Sequence, residues 1–232
     1  DPHEAGVVRL APTYLLPRNG ARFDVALSPW LPARLHAALR DGKFDVVHVH
    51  EPFIPVLGLL TLRLASCPVV GTFHASAQRN HGYAFFRHPL RAFATRLAAR
   101  IAVSEAARTF VARYVPAEYD VVPNGVDTTR FAPQVSPQPG ARRGRPLLLF
   151  VGRLDPRKGL GVLLEALPLV RRVVPEAELL IVGDGPLRER FRRHAAPFGE
   201  AVRFAGAVPR EALPHYYAAA DVVVSPALGN ES

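Results

Sequence analysis

The 232-residue chain is short of the residues that would open several simple explanations. Its one cysteine, Cys67, provides neither a disulfide framework nor a cysteine cage for a metal, and it fits a reducing compartment. Methionine is absent, even at position 1, so the chain is expected to be a piece of a longer protein, and no signal-peptide pattern is visible. No run of 18 consecutive apolar residues supplies the length that a membrane-crossing helix requires. Lysine is nearly missing too. Lys43 and Lys158 are the only two in a chain of net charge +9, and the remaining basic residues are arginine. That excess is spread evenly, +5 over residues 1–125 and +4 over 126–232. A nucleic-acid binder concentrates its charge on one face or arm, so nucleic acid is not the expected partner.

What is present is core material: 49% apolar residues against 21% charged, enough for two modest α/β domains. Short β-branched runs alternate with helical spacing. Residues 45–50, 68–73, 101–103 and 119–122 read as strands, and residues 56–64 and 87–100 as helices between them. Ser104 is placed to cap a helix running to about Tyr114. Between Asp127 and Arg145 the pattern fails, with several prolines and a cluster of arginines. It then restarts with strands at 147–151, 178–182, 202–204 and 221–224 and helices from about Lys158, Pro186 and Glu211. The expected organisation is a lobe over 1–126, a hinge-like linker over 127–145 and a second lobe over 146–232. Both lobes are α/β with parallel sheets, and ligands of such folds bind beyond the carboxyl ends of the strands.

The chemistry is expected at those ends. In the run 150–159 (FVGRLDPRKG), Arg153, Arg157 and Lys158 gather where a strand ends and a helix begins. Cations are unfavourable at a helix N-terminus unless an anion joins them, and a phosphate satisfies both the dipole and the side chains. Gly152 allows the turn. The run 182–186 (VGDGP) sits after the next strand in the same way, with Gly183 permitting close approach of a ligand and Pro186 suited to a first helical position. Neither loop has the spacing of a Walker P-loop or of a dinucleotide fingerprint, so NAD binding is disfavoured. His48 and His50 share a strand face with Glu51 following; the pair is read as structural and hydrogen-bonded rather than as metal-ligating, for want of a third ligand. His74 directly follows the strand 68–73, where a crevice would open. Glu231 occupies the same kind of edge after 221–224.

Five segments in this order, HVHEP (48–52), GTFH (71–74), PNGVD (123–127), VGRLDPRKG (151–159) and GNES (229–232), resemble the retaining glycosyltransferases of family 4, with two Rossmann-like lobes of the GT-B type. Within that family the pairing of HVHEP with GTFHAS, the run IAVSEAAR (101–108) and the Asn19-Gly20 stretch are most similar to phosphatidylinositol mannosyltransferases of the actinobacterial type. The resemblance implies transfer of a sugar, mannose from GDP-mannose first among candidates, to a lipid-linked or inositol-type acceptor. It implies that Arg153 and Lys158 hold the donor diphosphate, that Gly152 and Gly183 line the donor site, and that main-chain groups around Val208 meet the base. Glu231 would be the first acid of the family's Glu-x7-Glu pair and contact the sugar. His74 would lie near the reacting centre, with Asn19 and Thr72 on the acceptor side. No bound metal and no cofactor are implied, because charge on the departing diphosphate is met by arginine and lysine. The location implied is cytoplasmic, with peripheral contact at the inner face of the plasma membrane.

Against the family pattern, both lobes are expected to be incomplete, without the opening strand and glycine loop and without the second acid eight residues after Glu231. Residues 1–232 alone are therefore expected to lack transferase activity. The basic amphipathic helix of the lipid-acting relatives corresponds to residues 28–43, which carry only Arg34, Arg40 and Lys43. Leu31, Leu35, Ala38 and Leu39 would form an apolar face there, serving either a membrane or the core. Two other functions fit the same fold or charge: a sugar-nucleotide epimerase or phosphorylase-like enzyme, and a non-enzymatic basic module. The latter would bind polyanions without selecting nucleotide sugars.

Overall fold

The alternating runs form two parallel sheets in a computed structural model that describes residues 6–18, 21–77, 79–141 and 144–227, without the side chains of 15–18 and 21–24. The chain divides into two units, residues 1–124 and 125–231. The first opens with an antiparallel pair, β1 (Thr13–Arg18) and β2 (Ala21–Ala26), with Thr13 opposite Ala26. Helix α1 (Leu31–Gly42) starts with a proline in its first turn and stops at Lys43, which adopts a left-handed φ of 46°. Leu31 and Leu35, one turn apart, are its buried residues.

Strand β3 (Val47–His50), helix α2 (Leu57–Leu64), strand β4 (Val69–Phe73), helices α3 (His81–Phe85) and α4 (Arg87–Ala94), strand β5 (Leu97–Ala102), helix α5 (Glu105–Tyr114) and strand β6 (Asp120–Val121) follow. The four strands lie side by side in chain order, all parallel. Val69 and Phe73 of β4 pack with Leu62, Leu97, Phe110 and Val111 in one core. Phe73 is flanked by Phe53 and Tyr119, with ring centroids 5.1 and 5.5 Å away. Ser104 caps α5 as its sequence position predicts, accepting the Ala107 amide at 3.1 Å.

The segment 87–102 differs from the sequence reading. Helical spacing over 87–100 predicts a single helix, yet α4 ends at Ala94 and β5 already begins at Leu97. The run Leu97–Ala102 holds three alanines and satisfies either period. Tertiary contacts decide: Leu97 is buried against the neighbouring strand, and Arg96 ties the reversal by donating to the carbonyls of Leu62 and Arg63.

The second unit contains β7 (Leu147–Val151), α6 (Leu160–Val173), β8 (Glu178–Val182), α7 (Arg188–Ala195), β9 (Val202–Gly206), α8 (Leu213–Ala219) and β10 (Val222–Val223). Their spatial order is β10-β7-β8-β9, all parallel. Strand β8 is buried throughout because both faces are covered. Leu179 and Ile181 join Phe150, Leu160, Leu164 and Phe191 on one side, while Leu180 and Val182 join Leu147, Leu149 and Ala219 on the other. Glu178 at the start of β8 is 2% exposed and meets Arg145 at 3.3 Å and Arg203 at 3.2 Å. Residues 136–141, within the linker of the sequence reading, pack on this unit. Gln138 donates to the His215 carbonyl, His215 Nδ1 lies 2.7 Å from the Ser136 carbonyl, and Arg203 reaches the carbonyls of Gly140 and Ala141.

Candidate functional site

In the second unit the chain leaves β7 towards β8 and β9, then returns to place β10 on the other side of β7. Loops leaving neighbouring strands in opposite directions open a crevice at their carboxyl ends, the usual ligand position in such sheets. The segment 152–159 fills this place. Leu154 is fully buried and anchors the loop in the core. Its amide donates to the Asp184 carbonyl at 3.0 Å, and its carbonyl accepts the Leu187 amide at 3.1 Å, so the loops after β7 and β8 are laced together. Gly183 donates to the Gly206 carbonyl at 2.8 Å and adds the loop after β9. With φ of 133°, a side chain at Gly183 would also place its Cβ 1.9 Å from the Gly152 carbonyl oxygen. Gly159 has φ of 70°, and a Cβ there would stand 1.8 Å from the Pro226 carbonyl oxygen. Glycine is what lets the start of α6 meet the chain beyond β10.

Residues 156–158 form a short 3-10 turn, and α6 starts two residues later than the sequence suggests. Asp155, 3% exposed, caps the turn by accepting the Arg157 amide at 3.0 Å. Its other oxygen lies 3.2 Å from the Arg157 guanidinium and 3.9 Å from that of Arg153. Part of the anionic charge that the three cations call for is thus supplied by the chain. Arg153 remains exposed, and the Lys158 stem runs beside Gly152, whose added Cβ would lie 3.8 Å from the lysine Cδ. Asp184 accepts the Gly185 amide at 2.7 Å and pairs with Arg188 at 2.8 Å. Val208, in the loop after β9, is half-buried against the core.

In the first unit the carboxyl ends of β3 and β4 bring three histidines together. His50 stands opposite Thr72 in the register, and each histidine of β3 bonds a residue two positions beyond its register partner in the β4 segment. His48 Nε2 lies 2.6 Å from Thr72 Oγ1, and His50 Nδ1 lies 2.7 Å from His74 Nε2. The rings of His48 and His50 are 4.6 Å apart, and those of His50 and His74 are 5.0 Å apart. Partial desolvation, then the neighbouring His50 and His74, hold His48 below the ordinary histidine pKa, although the residue is largely exposed. Glu51 adopts a left-handed φ of 51°, and one of its carboxylate oxygens accepts the amides of both His74 and Ala75 at 2.6 Å. Thr72 is 4% exposed, with its hydroxyl spent on His48.

The sequence reading singles out His74 but misses its ties to His50 and Glu51. The sequence predicts a structural pair at His48 and His50; they stack, and each bonds across to a residue at or just after the end of β4. The alternation of His48 and His50 is visible in sequence, but their partners lie 24 residues away. Asp127 of the PNGVD segment caps its own turn. The Thr129 hydroxyl, then the amides of Arg130 and Thr129, hold its carboxyl below the usual range. Asn19 and Glu231 lie outside the described residues. Among the described residues no three of His, Cys, Asp and Glu converge as metal ligands would, and no helix is long and apolar enough to cross a membrane. Trp30, at the start of α1, is 69% exposed beside Ala33, Arg34 and Ala37.

The family model described as "Glycosyltransferase Family 4" matches residues 1–130, and that described as "Glycosyl transferases group 1" matches residues 145–232. The chain is 39% identical over 220 residues to the phosphatidyl-myo-inositol mannosyltransferase of Mycobacterium leprae, covering 94% of this chain and 58% of that protein. It is 34% identical over 238 residues to the GDP-mannose-dependent alpha-(1-6)-phosphatidylinositol monomannoside mannosyltransferase of Mycolicibacterium smegmatis, covering 95% and 58%. The chain therefore spans little more than half the length of these relatives. Among solved structures, Anabaena HepE in complex with UDP superposes with a TM-score of 0.67 at 22% identity over 87% of this chain and 57% of that one. A glycosyltransferase from Rickettsia africae gives 0.67 at 16% identity, over 88% and 58%. These likenesses identify the fold as GT-B.

Proposed function

The chain belongs to glycosyltransferase family 4, and on that premise we propose that the protein containing it moves mannose from GDP-mannose to phosphatidylinositol or a related inositol-bearing lipid, with retention at the anomeric carbon. The observation that carries this reading is the loop 152–159, with Arg153 and Lys158 at the carboxyl end of β7 and the start of α6. The mannosyltransferase relatives, 34–39% identical, support the choice of donor and acceptor.

In this reading the bond between the anomeric carbon and the diphosphate breaks, a bond to the acceptor hydroxyl oxygen forms on the same face, and that hydroxyl loses its proton. Negative charge collects on the departing GDP. Arg153, with its two-pronged guanidinium, and Lys158, as a point charge, stabilise it more in the transition state than in the bound donor. Asp155 restrains Arg153 and Arg157 without cancelling three cations. Gly152 and Gly183 let the main chain approach the donor, main-chain groups near Val208 receive the base, and Glu231 contacts the sugar. His74 serves the reacting centre. Asn19 is on the acceptor side, while Thr72 contributes indirectly as the anchor of His48. A lipid acceptor calls for peripheral contact with the cytoplasmic leaflet, and exposed Trp30 with Arg34 supplies apolar area and charge of the required kind.

The test is to supply the full-length protein with GDP-mannose and phosphatidylinositol in vesicles and to follow GDP release together with the mannolipid. Acceptor-dependent GDP release with an α-linked product is expected. GDP release without a mannolipid, or equal turnover with UDP-glucose, would overturn the assignment of donor and acceptor.

A further inference from the structure

We propose that His50 is a positioning residue for His74: the bond from His50 Nδ1 to His74 Nε2, 2.7 Å long, fixes the orientation and tautomer of the His74 ring. The inference rests on the reading that His74 serves the transfer. Across this bond one nitrogen donates and the other accepts, so two fully protonated rings cannot make it. If His50 donates, a neutral His74 carries its own proton on Nδ1; if a neutral His74 donates from Nε2, its Nδ1 carries no proton. Either way the state of His74 is set by its partner, as the tautomer of a histidine generally is.

Three features argue that the bond is there to aim a ring and not to hold the fold. His50 is exposed, and a bond in water adds little net stability. The next residue, Glu51, holds the backbone of the same target by accepting the His74 and Ala75 amides, so adjacent residues secure ring and main chain together. Glu51 does so from a left-handed conformation unfavourable for a residue with a side chain, and strain of this kind persists where surrounding structure enforces it at functional sites. His48 repeats the pattern one step back along the strand, bonded to Thr72 and stacked on His50. The titratable groups around His50 are therefore His48 on its own strand, Glu51 beside it, and His74 after the neighbouring strand.

The experiment compares His50→Ala, His50→Asn and His74→Ala in the full-length enzyme, measuring kcat, KM for GDP-mannose and the pH profile of kcat. His50→Ala is expected to lower kcat by about 10- to 100-fold, as loss of orientation does, to leave KM nearly unchanged, and to move the acid limb of the profile. His50→Asn, whose amide stands where Nδ1 stood, is expected to restore most of kcat. Nitrogen-15 spectra of the imidazoles should show the His74 tautomer pattern changing in His50→Ala, whatever the yield of active enzyme. An inactive His74→Ala beside a His50→Ala with wild-type kcat, pH profile and His74 spectrum overturns this inference alone. A His74→Ala enzyme turning over at the wild-type rate overturns the underlying reading as well.

Discussion

The two units place their candidate residues in the same position, at the carboxyl ends of parallel strands, and equip that position in opposite ways. In the first, His48 stacks on His50, His50 bonds His74, and the carboxylate of Glu51 is spent on backbone amides. In the second, Arg153, Arg157 and Lys158 crowd one loop, and the buried carboxylate Asp155 ties that loop together without matching the three cations by itself. On the proposed function the contrast separates two tasks: imidazole rings suit orientation of a reacting group, and fixed cations suit an anion that gains charge as the reaction proceeds. Equivalent places in two similar sheets thus carry different side chains, as expected when function resides in sites grafted on a common architecture.

The comparison can be broken most severely in the second unit. Gly159→Val would force a left-handed β-branched residue against the Pro226 carbonyl, and a loss at the exceptional end of single substitutions, about 4–5 kcal/mol, is expected in denaturant unfolding. A change below about 1 kcal/mol would mean that the loop does not need this close approach. Glu178→Ala comes next, because it leaves Arg203 partly buried without its carboxylate. A loss of about 3 kcal/mol is expected, and a neutral result would show the pair to be dispensable. The smallest effect belongs to the first unit. Since His48 is held below its ordinary pKa, the unfolded chain takes up a proton first as the solution is acidified. Stability from this group is complete above about pH 6.5, the unfolded value, and is lost as pH falls through the lower folded value. Wild type should therefore lose more melting temperature than His48→Gln between pH 7 and 5. The difference is expected to be about 1 °C, because the exposed ring is screened by solvent. A larger acid loss in the variant would reverse the sign and refute the assigned cause.

Much of this arrangement is legible in the sequence where burial is two-sided. Residues 147–151 and 178–182 are apolar runs because both faces of the sheet are covered, and their bounds coincide with β7 and β8. Ser104 declares the start of α5 through local chemistry alone. The β1–β2 pair escapes notice because Thr13–Arg18 contains a proline and lacks strict alternation, although the Asn-Gly dipeptide that stands between the strands is a hairpin signal. The start of β5 is hidden in an alanine-rich run whose state is settled by contacts made elsewhere. At the site, the cations of 153–158 can be read from adjacency. The bond between His50 and His74 cannot, since it depends on the register of two strands.

The proposed transfer depends above all on whether the loop after β7 holds a diphosphate. The measurement that tests this most directly is kcat/KM for GDP-mannose in Arg153→Ala and Lys158→Ala versions of the full-length enzyme, each checked to melt near the wild-type temperature. A fall of about 10²–10³ in each is predicted, the cost of losing one contact to charge that develops in the transition state. Two folded variants with near-wild-type kcat/KM would contradict the assignment and place the donor phosphates elsewhere.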